Sequence, residues 1–140
     1  MTEIPDIKAF NADIAAEFRA NGGKVGGPFE GADLLLLTTT GAKSGEPRLS
    51  PLAYFTVDGK MIVVGSYAGA DLDPAWVHNL RKHARAHIEV GTTAYDVNAR
   101  ELPSAERDDL YPRLVEQSPV FGEYQQKTSR VIPLFELEPV

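Results

Sequence analysis

The order of apolar and polar residues divides the chain into an N-terminal segment of helical period and a longer part of strand period. Within residues 6–20, apolar side chains recur at helical spacing and charged side chains take the opposite positions. The glycine pair 22–23 then supplies a helix-ending signal. We predict a helix over residues 6–20, whose apolar face either packs on the protein's own core or covers a pocket or membrane surface. The apolar positions are Ile7, Phe10, Ile14, Ala15 and Phe18.

The chain after residue 33 favours antiparallel strands. Residues 34–39, 48–57 and 60–66 are apolar and rich in residues of high β propensity. The dipeptide Asp58-Gly59 between the last two runs is a strong signal for a tight hairpin. Strands joined by such short turns pair antiparallel, whereas parallel strands need long crossovers.

The later elements complete an α+β pattern. We predict helices over residues 73–83, with Asp73 as N-cap and Pro74 in the first position, and over 104–117, capped by Ser104. A short helical piece is expected near 121–127. Further strands are predicted over 87–90, 94–102 and 130–137, with Pro133 marking an edge or a bulge. About six strands and three or four helices favour a small barrel-like sheet.

A glycine-rich segment, residues 22–31, follows the first helix. It lacks the Gly-Lys-Ser/Thr ending of a phosphate-binding loop, and no predicted strand precedes it. We therefore interpret it as a connector. The predicted division is residues 1–30, an N-terminal helix with its connector, and residues 31–140, the domain that carries the candidate chemistry.

Composition restricts the function. A chain of 140 residues fits one domain, and the absence of cysteine excludes thiolate catalysis and cysteine-ligated metal. A net charge of −6 argues against nucleic acid as the main partner. No signal-peptide core and no apolar run of membrane-spanning length is present in the sequence, so we expect a cytoplasmic location.

The most informative turn lies between the first two predicted strands. Lys43 and Ser44 stand at its tip, Gly45 follows them, and Arg48 begins the next strand. A glycine-containing turn presents backbone N–H groups to an anion, while a lysine adds a point charge and an arginine a bidentate fork. The residues are equally compatible with a phosphate or carboxylate site and with a plain solvated hairpin turn.

Small residues follow the third predicted strand. The run 65–70 (Gly-Ser-Tyr-Ala-Gly-Ala) leaves room for a flat ring, although a plain loop before a helix has the same composition. Trp76 on the next helix is either core or ligand wall. His83 and His87 are four residues apart, but no third ligand is near them in the sequence, so we predict no metal site.

No nucleophile elbow and no acid–base pair of defensible spacing is found in the sequence. An enzyme without such groups usually takes its chemistry from a cofactor. This consideration favours redox chemistry over hydrolysis.

Three runs resemble the deazaflavin-dependent nitroreductase family of actinobacteria. They are residues 34–52 (LLLLTTTGAKSGEPRLSPL), 74–80 (PAWVHNL) and 128–133 (TSRVIP). The resemblance implies a split β-barrel like that of FMN-binding reductases. It also implies coenzyme F-420, a deazaflavin with a phosphate and an oligoglutamate tail, as the cofactor, with FMN as a less favoured ligand.

The resemblance also assigns roles to single residues. By carry-over, the phosphate and tail are held by Lys43, Ser44, Gly45 and Arg48. The ring or the ribityl chain is lined by Pro51 and Leu52. The ring is also contacted by Ser66, Tyr67, Ala68 and Gly69, with Trp76 as a wall.

The substrate side departs from the family pattern. Within residues 117–124 Tyr124 is kept, whereas Ser118 and Phe121 stand where tyrosine is familiar. We assign Tyr124 as the candidate proton or hydrogen-bond donor to a quinone or nitroaromatic acceptor. The resemblance further implies association with the inner face of the membrane. Because a single chain of this size leaves little wall for a deep pocket, we also expect a homodimer. The alternative is a non-catalytic carrier of deazaflavin, flavin or lipid on the same barrel.

Overall fold

Six antiparallel strands close into a barrel in the part of the chain that the computed structural model describes, residues 7–26 and 33–140. The order around the barrel is β1-β2-β3-β6-β5-β4. Pairing of β1 with β4 closes the sheet, and β6 lies between β3 and β5. The predicted α+β, mostly antiparallel barrel is therefore confirmed. The strands are β1 (Leu34–Thr40), β2 (Pro47–Val57), β3 (Lys60–Val64), β4 (Arg85–Val90), β5 (Thr93–Glu101) and β6 (Leu134–Pro139).

Four α-helices and one 3-10 turn accompany the barrel within the described ranges. The helices are α1 (Ile7–Ala20), α2 (Ala75–Lys82), α3 (Ser104–Gln117) and α4 (Val120–Gln126), and the 3-10 turn spans Tyr67–Gly69. The N-terminal, middle and late helices of the prediction are all present. Position 6 of the first predicted helix and residues 27–31 of the predicted connector lie outside the described residues.

Strand β1 is buried on both faces, which accounts for its continuous apolar run. Leu35 and Leu37 point into the barrel, where they meet Phe135 and Trp76. Alternate side chains of a strand point to opposite faces, so Leu34 and Leu36 face outwards. They pack there under Ile14, Ala15 and Phe18 of α1. The apolar face of helix α1 therefore packs against the protein's own core.

The late helices cover another outer face of the barrel. Leu110 and Leu114 of α3 and Phe121 of α4 pack against Ile62 of β3 and Leu134 of β6. The ring of Phe121 also lies edge-on to Tyr124, with centroids 5.7 Å apart. This packing fixes α4, and with it Tyr124, to the side of the barrel.

Two predicted helix caps are wrong. Pro74 is the N-cap of α2 and Pro103 is the N-cap of α3, neither with a side-chain capping bond, so Ser104 is the first residue of α3. The carboxylate of Asp73 instead accepts hydrogen bonds from Arg81 and Arg130. Ion pairing with two guanidinium groups takes the place of a local cap.

The last strand begins later than predicted. Strand β6 starts at Leu134 and not at residue 130, because Arg130 and Ile132 bond to groups outside the sheet. Pro133 lies just before the strand, and its carbonyl accepts the N–H of Gly65 at 2.9 Å. A proline at the start of a strand costs no ladder hydrogen bond.

Candidate functional site

The turn between β1 and β2 is held by its own backbone. The N–H of Gly41 donates to the carbonyl of Glu46 at 2.8 Å, and the N–H of Gly45 donates to the carbonyl of Gly41 at 2.9 Å. Gly45 has a φ of 72°, which favours glycine. A Cβ on Gly41 would lie 2.6 Å from Ser44 Oγ and 3.2 Å from the Glu46 carbonyl oxygen. The sequence of glycines therefore sets a compact turn.

The side chain of Asn79 on α2 ties this turn to the barrel. Its Oδ1 accepts the N–H of Ala42 at 2.9 Å, and its Nδ2 donates to Thr39 Oγ1 at 3.0 Å. Asn79 is only 6% exposed. A buried amide with both ends satisfied fixes the relative position of two elements. Asn79 thus orients the segment that carries Lys43.

Helix α2 is itself anchored at its C-terminal end. Arg81 donates to Glu101 of β5 at 2.9 Å and to Asp73 at 2.8 Å. The hydrogen bonds of Glu101, and to a lesser extent of Asp73, raise the pKa of Arg81 above its ordinary value. These contacts keep Trp76 and Asn79 fixed beside the turn.

A cavity of about 730 Å³ opens between the turn, α2 and α1. Cavities of this size accommodate cofactor-sized ligands. Among the predicted site residues, Lys43, Ser44, Arg48 and Trp76 line it together. The other lining residues are Asn11, Ala12, Gly41, Ala42, Pro47, Leu49, Ser50, Ala75, His78 and Asn79.

The polar edge of the cavity is positively charged. Lys43 and Arg48 are exposed to solvent, and no carboxylate is among the described residues that line the cavity. The Nη2 of Arg48 donates a hydrogen bond to Ser44 Oγ at 3.4 Å, so the hydroxyl and the guanidinium lie side by side. Glu46, outside the lining, approaches Arg48 at 3.9 Å and offsets part of its charge. The donor set matches a phosphate or a carboxylate.

Helix α1 supplies one wall of the cavity. Asn11 and Ala12 face it, and Asn11 Nδ2 donates to the carbonyl of Leu49 at 3.2 Å. The sequence offered pocket covering as one use of this helix but did not single out Asn11. An asparagine on the polar face of a helix carries no signal that separates it from a solvated residue.

The remaining predicted cofactor residues lie outside the lining of this cavity. Pro51 and Leu52 continue along β2, and Leu52 packs on the barrel interior. Gly45 lines a smaller cavity of about 250 Å³. Ser66 is buried at the start of the 3-10 turn, while Tyr67 is 48% exposed. The side chain of Ala68 lies outside the described part of the structure.

The 3-10 turn meets helix α4. A Cβ on Gly69 would lie 3.0 Å from the carbonyl oxygen of Tyr124. Lys127 Nζ lies 5.7 Å from the centroid of the Tyr124 ring. The structure thus brings the 3-10 turn against α4, the helix that carries the candidate donor Tyr124. The 3-10 turn and Tyr124 form a second group of predicted residues, outside the lining of the cavity.

Other predicted features of the surface have plain structural roles. His87 Nδ1 lies 2.9 Å from Asp96 Oδ1, and Asp96 also accepts from Arg85. These hydrogen bonds, that of His87 first, lower the pKa of the Asp96 carboxyl. Within the described residues no group of three metal-ligating side chains occurs. Over the same residues, no helix has the length and apolar character needed to span a membrane.

Comparison with known proteins adds the family. Residues 12–139 match the family described as F420H(2)-dependent quinone reductase. An F420H(2)-dependent quinone reductase of Mycobacterium tuberculosis is 34% identical over 125 residues, which cover 85% of this chain and 83% of that protein.

Two solved structures share the fold at comparable identity. The structure of an F420-H2 dependent reductase aligns with a TM-score of 0.67 and 38% identity, covering 76% of this chain and 94% of that one. A domain-swapped dimer aligns with a TM-score of 0.69 and 33% identity, covering 95% and 98%. The predicted split barrel is confirmed, and the chain belongs to the family of F420H(2)-dependent quinone reductases.

Proposed function

We propose that this chain reduces a quinone with the reduced deazaflavin coenzyme F-420, and that the cavity between α1, α2 and the β1–β2 turn holds the anionic part of that cofactor. The observation that carries the proposal is the convergence of Lys43, Ser44 and Arg48 on one cavity walled by Trp76. The family name supports both the cofactor and the acceptor.

The residues at the cavity have distinct tasks in this proposal. Lys43 and Arg48 neutralise the phosphate and tail carboxylates, and Ser44 adds a hydroxyl donor. Gly41 keeps the turn compact, and Asn79 holds it in place. Trp76, buried on α2, offers an apolar surface. Residues 31–140 form the cofactor-binding domain, and the N-terminal segment 1–30 contributes α1 as a wall.

The second group, the 3-10 turn and Tyr124, is assigned to the reacting groups, which are the deazaflavin ring and the acceptor. When bound, the reduced deazaflavin supplies the hydride. We assign Ser66, Tyr67, Ala68 and Gly69 to the ring, and Tyr124 to the acceptor oxygen, because the 3-10 turn touches the helix that carries Tyr124. Pro51 and Leu52 continue the β2 edge of the cavity towards the barrel interior. The main contribution of the protein is orientation of two rings.

Cofactor binding is the decisive experiment. Coenzyme F-420 and, separately, FMN are titrated into the protein while the fluorescence of Trp76, the single tryptophan of the sequence, is followed. Loss of one charge-assisted contact predicts about tenfold weaker F-420 binding in Lys43→Ala. Lys24→Ala, which removes an exposed lysine outside the cavity lining, should bind like the unmodified chain.

The outcomes separate the rival functions. Equal binding by Lys43→Ala would contradict the anion site, and tighter binding of FMN would contradict the deazaflavin assignment. Rapid oxidation of bound reduced F-420 by the quinone menadione supports the reductase. Bound cofactor that stays reduced in the presence of menadione would instead indicate a carrier. Adding a nitroaromatic compound to the same assay tests whether this class is also an acceptor.

Assembly and location are further parts of the proposal. A solved relative is a domain-swapped dimer, which supports a homodimer, measurable by light scattering on the purified chain. Quinones partition into lipid, so we place the protein in the cytoplasm with access to the inner face of the membrane. Sedimentation with lipid vesicles tests that contact, and its absence would leave the protein free in the cytoplasm.

A further inference from the structure

The segment from Gly65 to Asp73 has little regular structure of its own. Its single ordered element is the 3-10 turn Tyr67–Gly69. Tyr67 has a φ of 47°, a left-handed conformation that costs free energy in a residue other than glycine. Such a conformation persists where surrounding contacts enforce it.

The side chain of Arg130 supplies four hydrogen bonds to backbone carbonyls of this segment. Its Nη1 donates to the Gly65 carbonyl at 3.1 Å, its Nη2 to the Ser66 carbonyl at 3.0 Å, and both Nε and Nη2 to the Ala70 carbonyl. The guanidinium also pairs with Asp73 Oδ1 at 2.5 Å. The Arg130 side chain is only 14% exposed. A single planar fork therefore fixes both ends and the middle of the segment.

The backbone around Arg130 is held in turn by helix α4. Gln125 Nε2 donates to the Arg130 carbonyl at 2.8 Å, and Gln125 Oε1 accepts the N–H of Ile132 at 3.1 Å. The Nη2 of Arg107 on α3 donates a hydrogen bond to the same Gln125 Oε1 at 2.6 Å. Gln125 is the neighbour of Tyr124 on α4, so the helix that carries the candidate donor also sets the direction of the guanidinium.

The other end of the network reaches the cofactor cavity. Asp73 shares its carboxylate between Arg130 and Arg81, and Arg81 belongs to α2. Trp76 on the same helix lines the cavity. Arg130 consequently links the segment 65–73 to both α4 and α2.

We propose that Arg130 is a positioning residue that sets the segment 65–73 between the cofactor cavity and Tyr124. The inference rests on the proposed function, because that segment is where the deazaflavin ring is assigned. Transfer between two bound rings depends steeply on their separation and angle. Lysine keeps the charge of Arg130 but loses the planar fork, so it cannot serve three carbonyls and a carboxylate together.

The experiment compares Arg130→Lys with Arg113→Lys. Arg113 pairs with Asp58 at the β2–β3 hairpin, outside both groups of site residues, and serves as the matched control. We expect Arg130→Lys to lower kcat with menadione by about tenfold or more, while the KM for reduced F-420 changes by less than about threefold, because Lys43 and Arg48 are untouched. Arg113→Lys should keep both values.

Hydrogen exchange provides a readout without activity. Amides of residues 65–73 should exchange faster in Arg130→Lys than in Arg113→Lys, with or without cofactor. If Arg130→Lys does not fold, Asp73→Asn replaces it and should show a lower kcat and faster exchange of the amides of residues 65–73. An unchanged kcat in a folded variant, or unchanged exchange in 65–73, would overturn the positioning role. Failure of the unmodified chain to bind F-420 would instead overturn the proposed function.

Discussion

At the residue scale, Asn79 shows how one buried side chain can decide the geometry of a site. It joins α2 to the β1–β2 turn through the Ala42 N–H and Thr39 Oγ1. Both partners are in or beside the segment that carries Lys43. Removing an amide that bonds a buried hydroxyl and a part-buried N–H costs more than the bonds themselves, since both partners are left without a hydrogen-bond partner.

Replacement of Asn79 by leucine should therefore affect stability and binding together. We expect Asn79→Leu to lower the free energy of unfolding by about 1–3 kcal/mol, measured by urea denaturation. We also expect weaker F-420 binding, because the turn is no longer anchored. Asn98→Ala removes an exposed asparagine of β5 and should change neither quantity. Unchanged binding in Asn79→Leu would mean that the turn keeps its shape without the anchor.

Site residues that are neighbours in the sequence could be predicted, whereas site residues whose partners lie far away in the sequence could not. Lys43, Ser44 and Arg48 lie within one turn, so glycine spacing and charge in the sequence sufficed to group them. Asn11 bonds to a residue 38 positions away, and Arg130 to one 60 positions away. Such pairs arise from the closed barrel and leave no mark in a local pattern.

At the element scale, hydrophobic period located every described helix and strand, and errors collected at their ends. Strand β6 starts four residues late because Arg130 is drawn to the carbonyls of the segment 65–73. Helix α2 starts two residues late because Asp73 pairs with distant arginines. In both cases tertiary contacts of an arginine prevail over a local preference.

Helix α1 depends on one ion pair as well as on its apolar face. Arg19 donates twice to Glu89 of β4, at 2.9 and 2.7 Å. That hydrogen bonding lowers the pKa of Glu89 below its ordinary 4.5. A carboxyl with a lowered folded pKa stabilises the fold above its ordinary pKa, and the contribution disappears as pH falls through the folded value.

The stability of a Glu89→Gln variant, compared with that of the unmodified chain, tests this direction of pH dependence. Above pH 4.5 the unmodified chain should be more stable than the variant, by less than about 1 kcal/mol because Arg19 is exposed. The difference should shrink as pH falls below that value. Urea denaturation at a series of pH values measures it. A difference that grows on acidification would show that the ion pair does not set the pKa of Glu89.

At the scale of the whole molecule, closure of the barrel creates the site. Pairing of β1 with β4 aligns Leu35 with Val90, two residues that no hairpin connects. The sequence predicted the antiparallel strands but not this pairing, since the order of strands depends on packing across the whole sheet. The closed sheet then lets α1 and α2 flank the β1–β2 turn, which forms the cavity.

The net charge of the molecule opposes the charge of its cavity. The chain carries −6 at pH 7, so an anionic cofactor is repelled at a distance and attracted at contact by Lys43 and Arg48. Added salt screens both forces, but the long-range repulsion is screened first, since the Debye length falls from about 30 Å at 0.01 M to about 8 Å at 0.15 M.

The association rate constant for F-420 should therefore rise with salt, while the dissociation rate constant rises as well because the contact pairs weaken. Stopped-flow quenching of Trp76 at a series of potassium chloride concentrations separates the two rates. In Lys43→Ala the association rate should rise at least as steeply, since the variant keeps the repulsion and loses attraction. An association rate that falls with salt would mean that the local field of the cavity, and not the charge of the whole chain, governs the approach of the cofactor.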